Sequence, residues 1–164
     1  MSLERLWAGW RTRYVSNFAQ GPEPDDCVFC RLAALSPDDG QILAQNDLVF
    51  AVLNIYPYTS GHLMVAPVRH EGFLDHLTDD EAHAVMAMTR EATTAVRNAY
   101  DPEGMNVGMN LGKAGGAGVP GHLHVHVVPR WGGDTNFMTS IAEARVLPEP
   151  LSVTRERLLA GWPT

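Results

Sequence analysis

Seven residues, HLHVHVV at 122–128, constrain this chain more than any other stretch. Histidines alternate with apolar residues, which is the period of a β-strand packed on a core through one face. His122, His124 and His126 then line up together, while Leu123, Val125 and Val127 point into the opposite side. Three imidazoles on one face need polar company, because buried unpaired polar atoms are costly. A strand rises about 3.3 Å per residue, so His122 and His126 stand about 13 Å apart. Metal–nitrogen bonds of about 2.0 Å do not let those two share one ion. The row is therefore divided between jobs. A catalytic metal held by an H-x-H pair, as in barrel dioxygenases, needs further ligands and more strands than the sequence offers. An accidental row on a surface strand fits poorly with so regular an alternation and a valine-rich inner side.

The rest of the pattern supplies neighbours for such a strand. LVFAVLN (48–54) and HLMVAPV (62–68) read as strands joined through the turn signal IYPYTSG, a hairpin with a longer loop. MNVGMNL (105–111) reads as a third central strand, ahead of the fourth at 122–128. Between them, TDDEAHAVMAMTREATTAVRNAY opens with Thr78 and Glu81 at capping-box spacing and ends before Asp101-Pro102. Its apolar positions Ala82, Val85, Met86, Met88, Ala92 and Val96 follow mixed three- and four-residue steps. LERLWAGWRTRY near the N-terminus predicts an amphipathic helix packing on the domain or a partner subunit. AQGPEPDD reads as a linker and PLSVTRERLLAGW as a short terminal helix. Strands, one long helix and more strands predict an α+β fold with a largely antiparallel sheet. The 164 residues make one domain, with an N-terminal extension at 1–20, a core at 27–137 and a tail at 148–164.

A net charge of -7 and a pI near 5.4 argue against a general nucleic-acid partner, and the single lysine, Lys113, stands among scattered arginines. Apolar runs such as LVFAVL fall far short of the ~20 residues of a membrane span. No basic segment leads into an apolar run at Met1, so the expected compartment is the cytoplasm, with no membrane partner. CVFC at 27–30 reads as half a zinc site, a redox pair or two free buried thiols. GKAGGAGVPG (112–121) contains G-x-G-x-x-G at Gly116, Gly118 and Gly121, but a strand follows it and not the helix that a dinucleotide fingerprint needs. Lys113 lacks the following Ser or Thr of a P-loop. Small residues there still let backbone N–H groups approach phosphoryl oxygens. His76 and His83, at the start of the long helix, read as solvated.

HLHVHVV satisfies the pattern His-φ-His-φ-His-φ-φ at every position, PRW follows it, GHLMVAPVRH (61–70) matches a second signature upstream, and CVFC precedes both. Over roughly Cys27 to Phe137 the chain thus resembles the histidine triad family. The resemblance implies a five-stranded, mostly antiparallel sheet with one long helix and short terminal helices, and a homodimer that joins two sheets into ten strands. It also implies chemistry at the α-phosphate of a nucleotide. His124 matches the nucleophile that forms a nucleotidyl-histidine intermediate; neutral imidazole is competent for this near pH 7. His126 matches the group that hydrogen-bonds phosphoryl or leaving-group oxygens, and His62 the histidine that supports and orients the triad. The likeness places Asn54 on the ribose hydroxyls, Val52 and Leu53 around the base, and Asn110 on the phosphate beside Gly116 and Gly118. Family members with an N-terminal C-x-x-C complete a structural zinc site at positions matching His70 and His122. That gives the metal Cys27, Cys30, His70 and His122, with no catalytic metal required. One departure is Val119-Pro120-Gly121, where many members carry Gln-Ser or Gln-Thr; a hydroxyl aiding the leaving group is missing from this loop.

Within the family, the LW…WR…Y segment, NIYPYTSGHLMV and PRWGGDTNF are similar to actinobacterial members that resemble diadenosine tetraphosphate phosphorylase. The likeness implies cleavage of a dinucleoside polyphosphate, the intermediate being resolved by inorganic phosphate or, in a hydrolase, by water. Arg69, Lys113 and Arg130 are candidate donors to that phosphate. The alternatives are a purine nucleoside phosphoramidase, which expels an amine, and a non-catalytic zinc-stabilised module that binds nucleotides or partners. Trp7, Trp10, Trp131 and Trp162 are candidates to cover a subunit interface or the nucleotide pocket.

Overall fold

VFAVL at 49–53 is apolar at every position, and all five residues are buried, so this strand must be covered on both sides. The computed structural model, which describes residues 27–35, 41–134 and 149–163, shows what covers it. In chain order the elements are α1 (Val28–Ala33), β1 (Ile42–Gln45), β2 (Val49–Leu53), β3 (Leu63–Pro67), a 3-10 turn (Leu74–His76), α2 (Asp79–Tyr100), β4 (Gly104–Met109), β5 (Val125–Arg130) and α3 (Leu151–Gly161). The five strands form one sheet in the order β1-β2-β3-β5-β4, each antiparallel to its neighbour. The α+β expectation and the five-stranded antiparallel sheet are both met. The expected N-terminal helix and linker, with Trp7 and Trp10, lie outside the described residues.

One face of the sheet packs against α2. Val49, Ala51, Leu53, Leu63, Val65, Val125 and Val127 meet Val85, Met88, Ala92, Ala95 and Val96 there, with Leu158 of α3 sealing the layer. The other face carries Phe50, Val52 and Ala66 beneath Cys27 and Phe29. Each fully buried Leu, Val or Phe contributes about 1.5–3 kcal/mol relative to exposure. The capping box of α2 is present: Thr78 Oγ1 accepts from the Glu81 N–H at 3.2 Å, and Glu81 Oε2 accepts from the Thr78 N–H at 2.9 Å. The helix stops at Asp101, which turns into the left-handed region at φ 43° ahead of Pro102. Two of the apolar positions expected along it face solvent, Ala82 and Met86, the latter 66% exposed. The buried stripe passes beside them through Glu81, Val85, Met88, Ala92 and Val96.

Two strand expectations need correction. The 105–111 segment is not central: β4 closes the sheet at an edge, and Val107 is 49% exposed. Its alternate positions are Asn106 and Gly108, too small or polar to need a cover on both faces. β5 begins only at Val125, so His122 and His124 precede the ladder and the row is not one straight strand. Instead Leu123 donates its N–H to Glu71 O at 2.6 Å, and His122 donates to Val119 O at 3.2 Å. β1 is an element that sequence reading did not single out; it has four residues and an irregular register between Ile42 and Ala44. α3 lies close along α2, where a Cβ on Gly161 would come within 2.9 Å of Ala95 O.

Candidate functional site

The divided row is visible in the rings. His122 turns toward the cysteines: its Nδ1 lies 3.3 Å from Cys27 Sγ and 3.6 Å from Cys30 Sγ, and His70 Nδ1 lies 3.2 Å from Cys30 Sγ. The four donor atoms of Cys27, Cys30, His70 and His122 all fall within 4.8 Å of one another. Tetrahedral zinc with bonds of about 2.3 Å to sulfur and 2.0 Å to nitrogen sets its donors about 3.3–3.8 Å apart, and the sulfur–nitrogen separations of 3.2, 3.3 and 3.6 Å lie close to that range. His122 Nε2 donates to Pro67 O at 2.8 Å, which leaves Nδ1 as the nitrogen able to ligate a metal and fixes the ring. Burial, helped by the neighbouring His70 and His124, pushes the His122 imidazole down to about 4, so it stays neutral and able to ligate. Both cysteines come from α1 and its N-cap, and His70 follows β3; the site ties three separate segments together.

His124 does not join that cluster. Its Nδ1–H donates to His122 O at 2.8 Å, so Nε2 carries the lone pair, and burial lowers the pKa of the ring and keeps it neutral. His126 is one step further along the same face, its ring 5.0 Å from that of His124. His62 Nδ1 accepts from the Tyr58 N–H at 3.1 Å, so its proton sits on Nε2, which faces His126 Nδ1 at 2.9 Å. His126 Nδ1 therefore accepts, and Nε2 is the protonated nitrogen that His126 presents. The pair offers a nucleophilic nitrogen beside a hydrogen-bond donor, which suits attack at an acidic centre with a leaving oxygen nearby.

The family model described as the HIT domain matches residues 37–133, a span that holds the whole sheet and all three triad histidines. This chain belongs to the HIT family. The HIT chain is 43% identical to a protein named AP-4-A phosphorylase from Mycobacterium tuberculosis, over 98% of its own length and 85% of that protein. It is 30% identical to the adenosine 5'-monophosphoramidase hnt1 of Schizosaccharomyces pombe, over 63% of this chain and 74% of the relative. Among solved structures, a Zn-bound histidine triad family protein from Mycobacterium smegmatis superposes with a TM-score of 0.67 at 27% identity, covering 85% of this chain and 94% of that one.

Around the HIT triad the expected nucleotide residues take different places. Val52, Met64, His126 and Gly108 are successive partners across β2, β3, β5 and β4, so Val52 shares the histidine face. Leu53 lies on the opposite face, in the core under α2. A Cβ on Gly108 would meet nothing within 4 Å, so the sheet beside His126 opens toward solvent on that side. Asn54 Oδ1 accepts from the Tyr56 N–H at 2.9 Å, while its amide nitrogen is 3.4 Å from each ring nitrogen of His62. Asn110 donates to Gly116 O at 3.3 Å, pinning the glycine loop. In that loop the Gly116 N–H bonds to Lys113 O at 3.0 Å and the Ala117 N–H to Gly112 O at 3.2 Å. Gly116 itself takes φ 89°, which favours glycine. Gly118 and Gly121 lie in the same loop, half-buried.

The candidate phosphate donors fare less well. Arg69 is held by Glu81 at 2.7 and 2.8 Å, and Arg130 by Asp134 at 2.5 and 2.9 Å and by Asn106 at 2.6 Å. Bidentate pairs of this kind use the guanidinium fork, so neither arginine is poised for a substrate anion. Two aromatic residues that sequence reading passed over sit against the triad. Phe29, between the two cysteines, lies 4.8 Å from the His124 ring and 5.2 Å from His122. Tyr58 stacks 6.0 Å from His126 and 4.7 Å from His62. The only prior signal for either was nearness in sequence to a motif histidine or cysteine. His76 and His83 are exposed, as expected. Trp131 meets Tyr100 edge-on at 6.3 Å, and Trp162 packs on the α2 core. No described helix is long and apolar enough to cross a membrane.

Proposed function

We infer that this protein is an enzyme acting on nucleoside phosphates, and we propose that it cleaves a dinucleoside polyphosphate by nucleotidyl transfer through His124. The observation that carries the proposal is the His124 ring, apart from the metal cluster and with Nδ1–H held by His122 O. In the proposed reaction Nε2 attacks the α-phosphorus, an N–P bond forms, and the P–O bond to the departing nucleoside polyphosphate breaks. His126 Nε2–H donates to the departing oxygen or to a phosphoryl oxygen, and His62 holds His126 in that tautomer. An acceptor then attacks phosphorus and restores the free imidazole. Splitting one displacement into two lowers each barrier.

Cys27, Cys30, His70 and His122 are proposed to hold zinc, which braces the segment carrying His124 and, with four protein ligands, leaves no open position for substrate. Val52, Asn54, Asn110, Gly116 and Gly118 remain the proposed contacts to base, ribose and phosphate, while Leu53, in the core under α2, is not among them. We also propose a cytoplasmic homodimer, joined where β4 ends the sheet with Val107 exposed.

Product analysis tests the reading. With diadenosine tetraphosphate and inorganic phosphate, a phosphorylase releases ADP and ATP; if water is the acceptor, the products are AMP and ATP. His124→Ala should abolish turnover and the trapped nucleotidyl-enzyme while keeping nucleotide affinity. Unchanged turnover in that variant would remove the proposal. The named activity of the fission-yeast relative supports an adenosine phosphoramidate as the second substrate to assay.

A further inference from the structure

The HIT match ends at residue 133, yet α3, at Leu151–Gly161, reaches the back of the His62 turn. His62 is placed by the loop before it. The His62 N–H bonds to Thr59 O at 3.2 Å, and Thr59 Oγ1 donates to Pro129 O at 2.9 Å. Between them Gly61 adopts φ 84° and lies so close to its neighbours that a Cβ would come within 2.9 Å of Tyr100 Cε2 and 3.2 Å of Pro129 Cγ. The Gly61 backbone thus rests on the Tyr100 ring.

Tyr100 is in turn held from α3. Its hydroxyl donates to Glu149 Oε1, which also accepts from Thr154 Oγ1 at 2.8 Å. Arg157 Nε lies 3.5 Å from Glu149 Oε2, and its guanidinium sits over the Tyr100 ring at 5.6 Å. A small cavity separates the two groups, lined by Ser60, Gly61 and His62 on one side and Glu149, Leu151 and Thr154 on the other. Ser60 Oγ is buried with no hydrogen-bond partner among the described residues, so it does not anchor the turn. The Tyr100 ring, fixed by Glu149, supports the turn together with Pro129.

We propose that Glu149 and Tyr100 are positioning residues for His62, holding the Gly61 backbone so that His62 Nε2 stays aimed at His126. The proposal rests on the His124 nucleotidyl-transfer reading for its effect on rate, but its geometric part stands alone. Glu149→Ala removes both bonds made to Oε1, whereas Glu149→Gln keeps an oxygen there to accept them. In the metal-loaded protein, imidazole 15N spectra should show altered His62 and His126 signals in Glu149→Ala, and native ones in Glu149→Gln. Turnover of diadenosine tetraphosphate by Glu149→Ala should fall roughly tenfold in kcat with little change in KM, a loss typical of a slightly misplaced group. In a His62→Ala background the same substitution should cost nothing further, because its target is gone. Native His62 and His126 signals in Glu149→Ala, or losses that simply add in the double variant, would overturn the proposal. If the native protein turns over no dinucleoside polyphosphate, the reaction assignment falls and the 15N comparison still decides the positioning role. Should Glu149→Ala fail to fold, Tyr100→Phe removes the hydroxyl bond alone and is read by the same spectra.

Discussion

Replacing Glu81 with glutamine keeps the shape of the first turn of α2 and removes one negative charge. Glu81 is 6% exposed, receives Arg69 Nε at 2.7 Å and Nη2 at 2.8 Å, and also accepts from the Thr78 N–H. The Arg69 guanidinium, against the upward push of burial, holds this carboxyl at about 2, below its ordinary 4.5. A folded-state value below the unfolded one means that ionisation stabilises the fold. The contribution is complete above pH 4.5 and disappears as pH falls toward 2. The Arg69 side chain is 46% exposed, so solvent screening keeps the contribution of these charged hydrogen bonds to about 1–2 kcal/mol. Glu81→Gln should therefore lower Tm by about 3–6 °C at pH 7. Thermal unfolding followed by circular dichroism, with equal metal content in both proteins, should show this gap narrowing between pH 5 and pH 3. Protonation of the cysteines and histidines is common to both proteins and cancels in the difference. A gap that stays constant down to pH 3, or none at pH 7, would refute the reasoning.

Metal removal should be more damaging. Chelation, or Cys30→Ser, should lower thermal stability by several kcal/mol, because the cluster ties three separate segments together; the check is a melt with and without chelator. Phe29→Leu should keep metal content while reducing kcat about two- to tenfold, since a tilted ring contact of this kind is worth about 0.5–1.5 kcal/mol; steady-state kinetics with bound-metal assay would reveal it. Leu63→Ala, at a fully buried position where the sheet meets α2, should cost about 2–5 kcal/mol in urea unfolding with little change in metal binding.

Features with a local cause were legible before the structure. The capping box of α2 needs only Thr78 and Glu81 three residues apart, and its end needs only Asp101-Pro102. The metal quartet was legible through family resemblance, since nothing in the spacing of Cys30, His70 and His122 announces their convergence. Features set by tertiary neighbours were not legible. β1 is too short for a period to show, and β4 carries a strand-like pattern whether it lies at the centre or the edge of a sheet. Arg69 and Arg130 looked available because Glu81 and Asp134 claim them only once the chain has folded. The glycine loop likewise hid that its own carbonyls would take the N–H groups of Gly116 and Ala117.

The hydrogen-bond chain through His62 has one more consequence. Every imidazole near the triad has its lone pair either spoken for or directed at the quartet, apart from Nε2 of His124. Among the described residues, a stray divalent ion approaching His124 meets one basic ring nitrogen with no second imidazole lone pair to complete a chelate. On the proposed reading, the quartet can hold its metal a few ångströms from His124 without that ring being captured by the same kind of ion.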